Sequence, residues 1–167
     1  MSVFFLISFV FLCNNLFGDT TYSVNSSLVA DERLSSSGTA ATFSATVTLD
    51  GAKYIWTLPP VSTTPVITVQ NGFTATLTNI LLQYLLPSHI SLGAGSNIVF
   101  GDGSIIYLGD SDSLNYTWGF SGTSALDGRA KTLTLGSNGV IEAQSGATLT
   151  LKDLTIYDVN ATNLRSG

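Results

Sequence analysis

The stretch "VIEAQSGATLTLKDLTIYDV", residues 140–159, decides how this chain is read. Apolar and polar residues alternate from Val140 to Ala143, pause at Gln144-Ser145-Gly146, alternate again to Leu151, pause at Lys152-Asp153 and resume from Leu154. Side chains alternate across a strand with period two, so each run is a short strand with one apolar face. Ile141 and Ala143, then Ala147, Leu149 and Leu151, then Leu154 and Ile156 make that face; Thr148 and Thr150 point away from it. Corners of two or three residues are too cramped for antiparallel hairpins throughout. They suit a chain that turns a corner and stacks on its next coil.

The stretch occurs twice. "VITVQNGFTATLTNILLQYL", residues 66–85, aligns with it from end to end without a gap. Ile67 meets Ile141, Gln70 meets Gln144, Gly72 meets Gly146, Leu77 meets Leu151 and Asn79 meets Asp153. Upstream, "LDGAKYIWTL" (49–58) matches "LDGRAKTLTL" (126–135). Between the copies, Ile90 and Leu92, Ile98 to Phe100, and Ile105 to Leu108 are parted by Gly-rich corners, among them Gly101-Asp102-Gly103. A repeat of this kind marks a solenoid, and the step from Val66 to Val140 reads as three coils of roughly 25 residues in a parallel β-helix. The alternative is a β-sandwich of hairpins. It draws support from Asp50-Gly51 between alternating flanks, a strong hairpin signal. A hairpin or cap over the first coil, residues 43–65, accommodates both, with coils from 66 to 167.

Composition agrees with an all-β chain. The 167 residues are 44% hydrophobic and 10% charged, with 16 Gly and 4 Pro, enough for one domain with a sizeable core. The formal charge is −5 and the six Lys and Arg are scattered, which excludes the concentrated basic face that nucleic acid requires. The apolar block from Val3 to Cys13 is short for a membrane span and reads as a secretory signal over residues 1–18. Polar residues 19–42 read as a flexible lead-in. Cys13 is the only cysteine, so a chain cut near Gly18 has no disulfide, zinc cluster or thiol nucleophile.

The motifs "LDGRAKTLTLGSNG" and "IEAQSGATLTLKDLTI" resemble the pectin-lyase-like right-handed parallel β-helix superfamily, in the style of bacterial autotransporter-passenger and adhesin surface proteins. The resemblance covers roughly residues 49–159. It implies an exported right-handed coil that is either adhesive or carbohydrate-active. The first expectation is therefore a secreted or cell-surface structural and adhesive module, on a bacterial outer membrane, without catalysis of its own. Its partners would be glycans or cell-surface proteins, not nucleic acid. The alternative is a polysaccharide-active lyase or glycoside hydrolase.

For the enzyme, Asp102, Asp110 and Asp112 are the candidate carboxylates, either as an acid–base set or as a calcium site. Asp102 and Asp110 each follow Gly after an apolar run, which allows one shared corner; turn formation alone also explains them. No cofactor other than calcium is expected. His89 is the lone histidine, more a turn residue than a general base. For carbohydrate binding, Tyr116, Trp118, Arg129 and Lys131 are the candidates. Tyr116, Trp118 and Phe120 alternate as an exposed stacking strip does, or as the inward face of a coil does. Residues 121–127 then form a projecting loop. The open end after residue 159 is expected to be covered by self-association or by a C-terminal continuation.

Overall fold

The computed structural model describes residues 21–24, 28–29, 40–59 and 65–167. The signal-peptide reading falls on 1–18, outside the described residues. Seventeen strands follow in order: β1 (Thr21–Val24), β2 (Leu28–Val29), β3 (Ala40–Phe43), β4 (Val47–Asp50), β5 (Ile55–Thr57), β6 (Ile67–Val69), β7 (Thr74–Thr78), β8 (Leu81–Leu85), β9 (Ile90–Leu92), β10 (Asn97–Phe100), β11 (Ile105–Leu108), β12 (Asp112–Leu114), β13 (Thr117–Phe120), β14 (Thr123–Leu135), β15 (Val140–Ala143), β16 (Thr148–Tyr157) and β17 (Leu164–Ser166). A 3-10 turn, Pro87–His89, precedes β9.

Every pairing among the described residues is parallel, and the strands form a right-handed parallel β-helix of about five turns. The first sheet stacks β1, β3, β6 and β9. The second stacks β2, β4, β7, β10, β13, β15 and β17. The third stacks β5, β8, β11 and β14, with β16 on β14. β14 bends between Asp127 and Lys131; its first half lies on β11 and its second on β12.

Three expectations about local structure change. β4 and β5 flank Asp50-Gly51 but do not pair with each other; β4 lies parallel to β2 and β7, and β5 to β8. Asp50-Gly51 is thus a coil corner, not a hairpin turn, because each flank finds a longer run of partners on the coil above. The expected flexible lead-in also contains coil strands: β1 lies on β3 and β2 on β4. Residues 121–127, expected as a loop, are mostly strand, with Ala125–Asp127 paired to β11.

The coil length differs as well. Ala75, Ile98, Trp118, Ile141 and Leu164 lie one above the next, so each interval between them is one coil. All are shorter than expected, and the coil from Ile98 to Trp118 is the shortest. Three coils from Ala75 therefore end at Ile141, short of Leu149, the residue that matches Ala75 in the repeat. The repeat returns three coils later and one face further round. β6 of the first sheet matches β15 of the second, and β7 of the second matches the first half of β16 in the third. The cause is a shortcut: after β9 the chain passes from β12 to β13 through Asn115 and Tyr116 alone, bypassing the first sheet.

Inside, the ladders are apolar. Val47, Ala75, Ile98, Trp118 and Ile141 form one; Leu49, Leu77, Phe100 and Phe120 another; Trp56, Leu82, Ile106 and Leu126 a third, all buried. Phe100 meets Trp118 edge-on at 5.8 Å and Phe120 at 5.3 Å, contacts worth about 0.5–1.5 kcal/mol each beyond area burial.

Candidate functional site

The corners carry the polar chemistry. At the matching corner of each repeat copy an aspartate accepts from the backbone two residues on: Ala52 N–H to Asp50 at 2.9 Å, and Arg129 N–H to Asp127 at 2.9 Å. Two left-handed residues follow in both, Ala52 (φ 49°) with Lys53 (φ 65°), and Arg129 (φ 48°) with Ala130 (φ 61°). One left-handed residue sits on the coil above, Asn79 (φ 48°) or Asp153 (φ 45°). The glycines allow the close stacking: a Cβ on Gly51 would lie 2.5 Å from Ile80 Cβ, and one on Gly128 would lie 2.8 Å from Leu154 Cα. In the first copy the Asn79 amide donates to Asp50 at 3.2 Å. In the second the Lys152 ammonium takes that place, 3.0 Å from Asp127.

The second corner builds the most distinctive outer surface of the coil. Its left-handed turn lays the Arg129 guanidinium over the Tyr107 ring, 4.1 Å from the centroid, with Tyr84 at 5.9 Å. Lys131 pairs with Asp110 at 3.5 Å, and Lys152 lies 3.8 Å from Asp153 as well as against Asp127. The Lys152 ammonium and the Arg129 N–H hold the Asp127 carboxyl below the usual carboxylate range. The Ser111 N–H, helped by Lys131, does the same for Asp110. Asp127 in turn raises Lys152. Arg129 is the cation of this group that makes no ion pair among the described residues, so its forked donors face outward unpaired.

The candidate carboxylates are not brought together. Asp102 stands at the corner before β11, where it accepts from Thr123 N–H at 2.8 Å. Asp110 stands at the corner after β11. Asp112 opens β12 and accepts from Ser113 N–H at 2.7 Å and Ser88 N–H at 3.5 Å. Strand β11 separates the first from the other two, since the corners lie at its opposite ends. Among the described residues no three His, Cys, Asp or Glu side chains gather as metal ligands.

The aromatic strip turns inward. Trp118 and Phe120 are fully buried, Tyr116 packs against the core, and the Tyr116 hydroxyl donates to Pro87 O at 2.8 Å. Desolvation lifts the Tyr116 phenol far above its usual range. This packing removes Tyr116 and Trp118 as stacking faces for a sugar; Arg129 and Lys131 stay on the surface, and the aromatic neighbours of Arg129 are Tyr84 and Tyr107. His89 is also fully buried. Its Nδ1 accepts from Leu86 N–H at 3.2 Å while Nε2 meets no partner. Desolvation holds its pKa below the ordinary histidine value, against a smaller opposite pull from Asp112.

Tyr84, Tyr107 and Lys152 were not singled out in the sequence. Tyr107 had a signal, since it lies between the inward Ile106 and Leu108 and so faces out. Tyr84 had none, because it takes a left-handed backbone (φ 64°) that breaks the alternation of β8. A separate open groove follows the corner between β6 and β7, lined by Thr68, Gln70, Asn71, Phe73, Ser91 and Gly93. No protein-family model matches this chain, and neither the curated proteins nor the solved structures contain a significant match to it.

Proposed function

We propose that the protein is an exported structural and adhesive surface module: a rod of the pectin-lyase-like superfamily, in the style of bacterial autotransporter passengers and adhesins, with no catalytic centre of its own. The observation that carries this reading is the ridge of Tyr84, Tyr107, Arg129 and Lys131. An unpaired guanidinium on an aromatic face, with a second ring beside it, offers surface glycans a stacking platform and forked donors. The carboxylates that cleavage would need are engaged in holding corners instead, one to Thr123, one to Lys131 and one to Ser88 and Ser113.

The test is to incubate the protein with neutral and acidic polysaccharides, with and without millimolar calcium, reading chain cleavage and retention on the immobilised glycan. Retention without cleavage, reduced about tenfold by Arg129→Ala, is the expected result. Cleavage that Asp102→Ala or Asp110→Ala abolishes overturns the reading in favour of a lyase or hydrolase. A melting temperature raised by calcium would mark a cation-stabilised module.

A further inference from the structure

The open groove at the corner between β6 and β7 has a chemistry unlike that of the ridge. Its volume is about 450 Å³, in the range of small-molecule clefts, and no ionisable side chain lines it. Ile67 and Val69 of β6 point inward and are buried, so Thr68 between them points out. Ser91 of β9 lies directly opposite Thr68 in the parallel register. Among the described residues no strand of the first sheet lies above Ser91, because the chain bypasses that sheet after β9. The groove therefore sits at an interruption inside the fold, with β10 to β17 still to follow.

The corner supplies the other wall. Gly72 (φ 77°) turns the chain, leaving Gln70 and Asn71 exposed and the Phe73 ring half-buried beside them. Asn71 is fixed in place. Its Oδ1 accepts from Ala94 N–H at 3.0 Å, and Gly93 makes room for it, since a Cβ there would run into Asn71. The Asn71 amide donors, the Gln70 carboxamide and the Thr68 and Ser91 hydroxyls have no hydrogen bond among the described residues. Adjacent strands lie about 4.8 Å apart, so one ligand oxygen between Thr68 and Ser91 reaches both hydroxyls at roughly 2.8 Å, accepting from one and donating to the other.

Hydroxyls, carboxamides and one ring, without a charge, select the ligand. An anion meets no cation here, and a hydrocarbon would strip water from polar groups without pairing them. A sugar ring satisfies both halves, with hydroxyls for the polar groups and a C–H face for Phe73. We propose that this groove, formed by Thr68, Gln70, Asn71, Phe73 and Ser91, is a binding site for a neutral saccharide. It goes beyond the ridge and does not rest on it, since the ridge lies on the third sheet and acts through a cation. The second repeat copy is a control within the same molecule. Its corner keeps Gln144 and Gly146 but has Ser145 for Asn71, Ala147 for Phe73 and Glu142 for Thr68. That corner lacks the ring and carries a charge.

Amide NMR of the isotope-labelled 167-residue chain tests it, with trisaccharides added at millimolar concentration. The neutral probes are cellotriose, maltotriose, mannotriose and tri-N-acetylchitotriose; trigalacturonate is the charged comparison. At least one neutral probe is expected to shift the amides of residues 70–73 and 91–93 and to spare those of 144–147, while trigalacturonate leaves all of them in place. Phe73→Leu keeps an apolar side chain against the core but removes the ring, and Gln70→Ala changes an exposed side chain, so both keep the fold. Each is expected to raise the Kd about fivefold or more. Arg129→Ala leaves these shifts unchanged whatever it does to retention through the ridge, so either reading can fail alone. The proposal is overturned if no neutral probe moves these amides, if trigalacturonate moves them as far, or if both groove variants bind as the wild type does.

Discussion

The two copies of the repeat, residues 66–85 and 140–159, share an alternation pattern and the same corners but have different surroundings. Leu77 is fully buried and its counterpart Leu151 is 40% exposed; Ile80 and Leu82 are buried where Leu154 and Ile156 are half-open. The first copy has β10 and β11 on top of it. The second has no coil above it among the described residues. The difference separates two causes. Alternation and turn chemistry determine which side chains face in, while burial itself comes from the next coil, which a repeat unit does not contain.

The largest effect follows from that separation. Leu77→Ala is expected to cost about 3–4 kcal/mol, because it leaves a cavity walled on all sides. Leu151→Ala is expected to cost under about 1 kcal/mol, since a side chain already open to water loses little apolar burial. Urea unfolding measures both. Equal losses at the two sites would mean that Leu151 is as well covered as Leu77.

A smaller contrast lies in the glycines of the matching corners. Gly51→Ala drives a methyl into Ile80, which is locked from above where its carbonyl accepts from Ile105 N–H at 2.9 Å. Gly128→Ala drives one toward Leu154, on a coil with no strand above it among the described residues. We expect about 2–3 kcal/mol for the first and about 1 kcal/mol for the second, read from urea midpoints. The reverse order would show that the end coil is as firmly held as the interior.

Much of this was readable from the sequence, and what was not has identifiable causes. The strands, their inward residues and the Gly-rich corners follow from alternation and turn residues, both local. The face each copy occupies does not, because it depends on how much chain completes a coil. The passage from β12 to β13 through Asn115 and Tyr116 shortens the coil between Ile98 and Trp118, and no local signal marks it. The site shows the same limit. Arg129 and Lys131 could be recognised as cations near a corner, but the rings beside Arg129 come from two earlier coils, far back in the chain. Tyr116 and Trp118 alternate as an outward strip would, and only the stacking of Phe100 against Trp118 assigns them to the core.

The chain leaves the two copies differently, and pH separates the exits. After the first copy the turn is closed by His89, whose neutral Nδ1 accepts from the buried Leu86 N–H. After the second it is closed by Asn163, which accepts from Asn160 N–H at 2.7 Å and donates to Asp158 O at 2.7 Å. Burial lowers the His89 pKa in the folded chain, so below about 6.5 the unfolded chain binds the extra proton and the folded chain does not. Stability therefore falls as pH drops from 7 to 5, and is fully present only above the unfolded value. His89→Asn, which keeps an acceptor and cannot titrate, is expected to flatten the melting temperature over that range. A slope unchanged by this substitution would assign the acid sensitivity elsewhere.

The smallest effect comes from the one corner position where the copies differ most in side chain and least in backbone. Ala52 and Arg129 occupy equivalent places, with φ of 49° and 48°, and each N–H donates to the corner aspartate. Arg129→Ala therefore reproduces a corner the chain already forms, and neither the turn nor the Asp127 bond is lost. What remains is the guanidinium over Tyr107, worth about 0.5–1 kcal/mol at an exposed site, or roughly 1–4 °C in the melting temperature of a chain this size. Arg129→Lys keeps the charge but not the planar contact, so a loss as large as that of Arg129→Ala would identify the stacking itself as the stabilising element. A loss well above about 1 kcal/mol for Arg129→Ala would instead make this residue a structural clamp across three coils, and the ridge would then exist to hold the coil and not to meet a ligand.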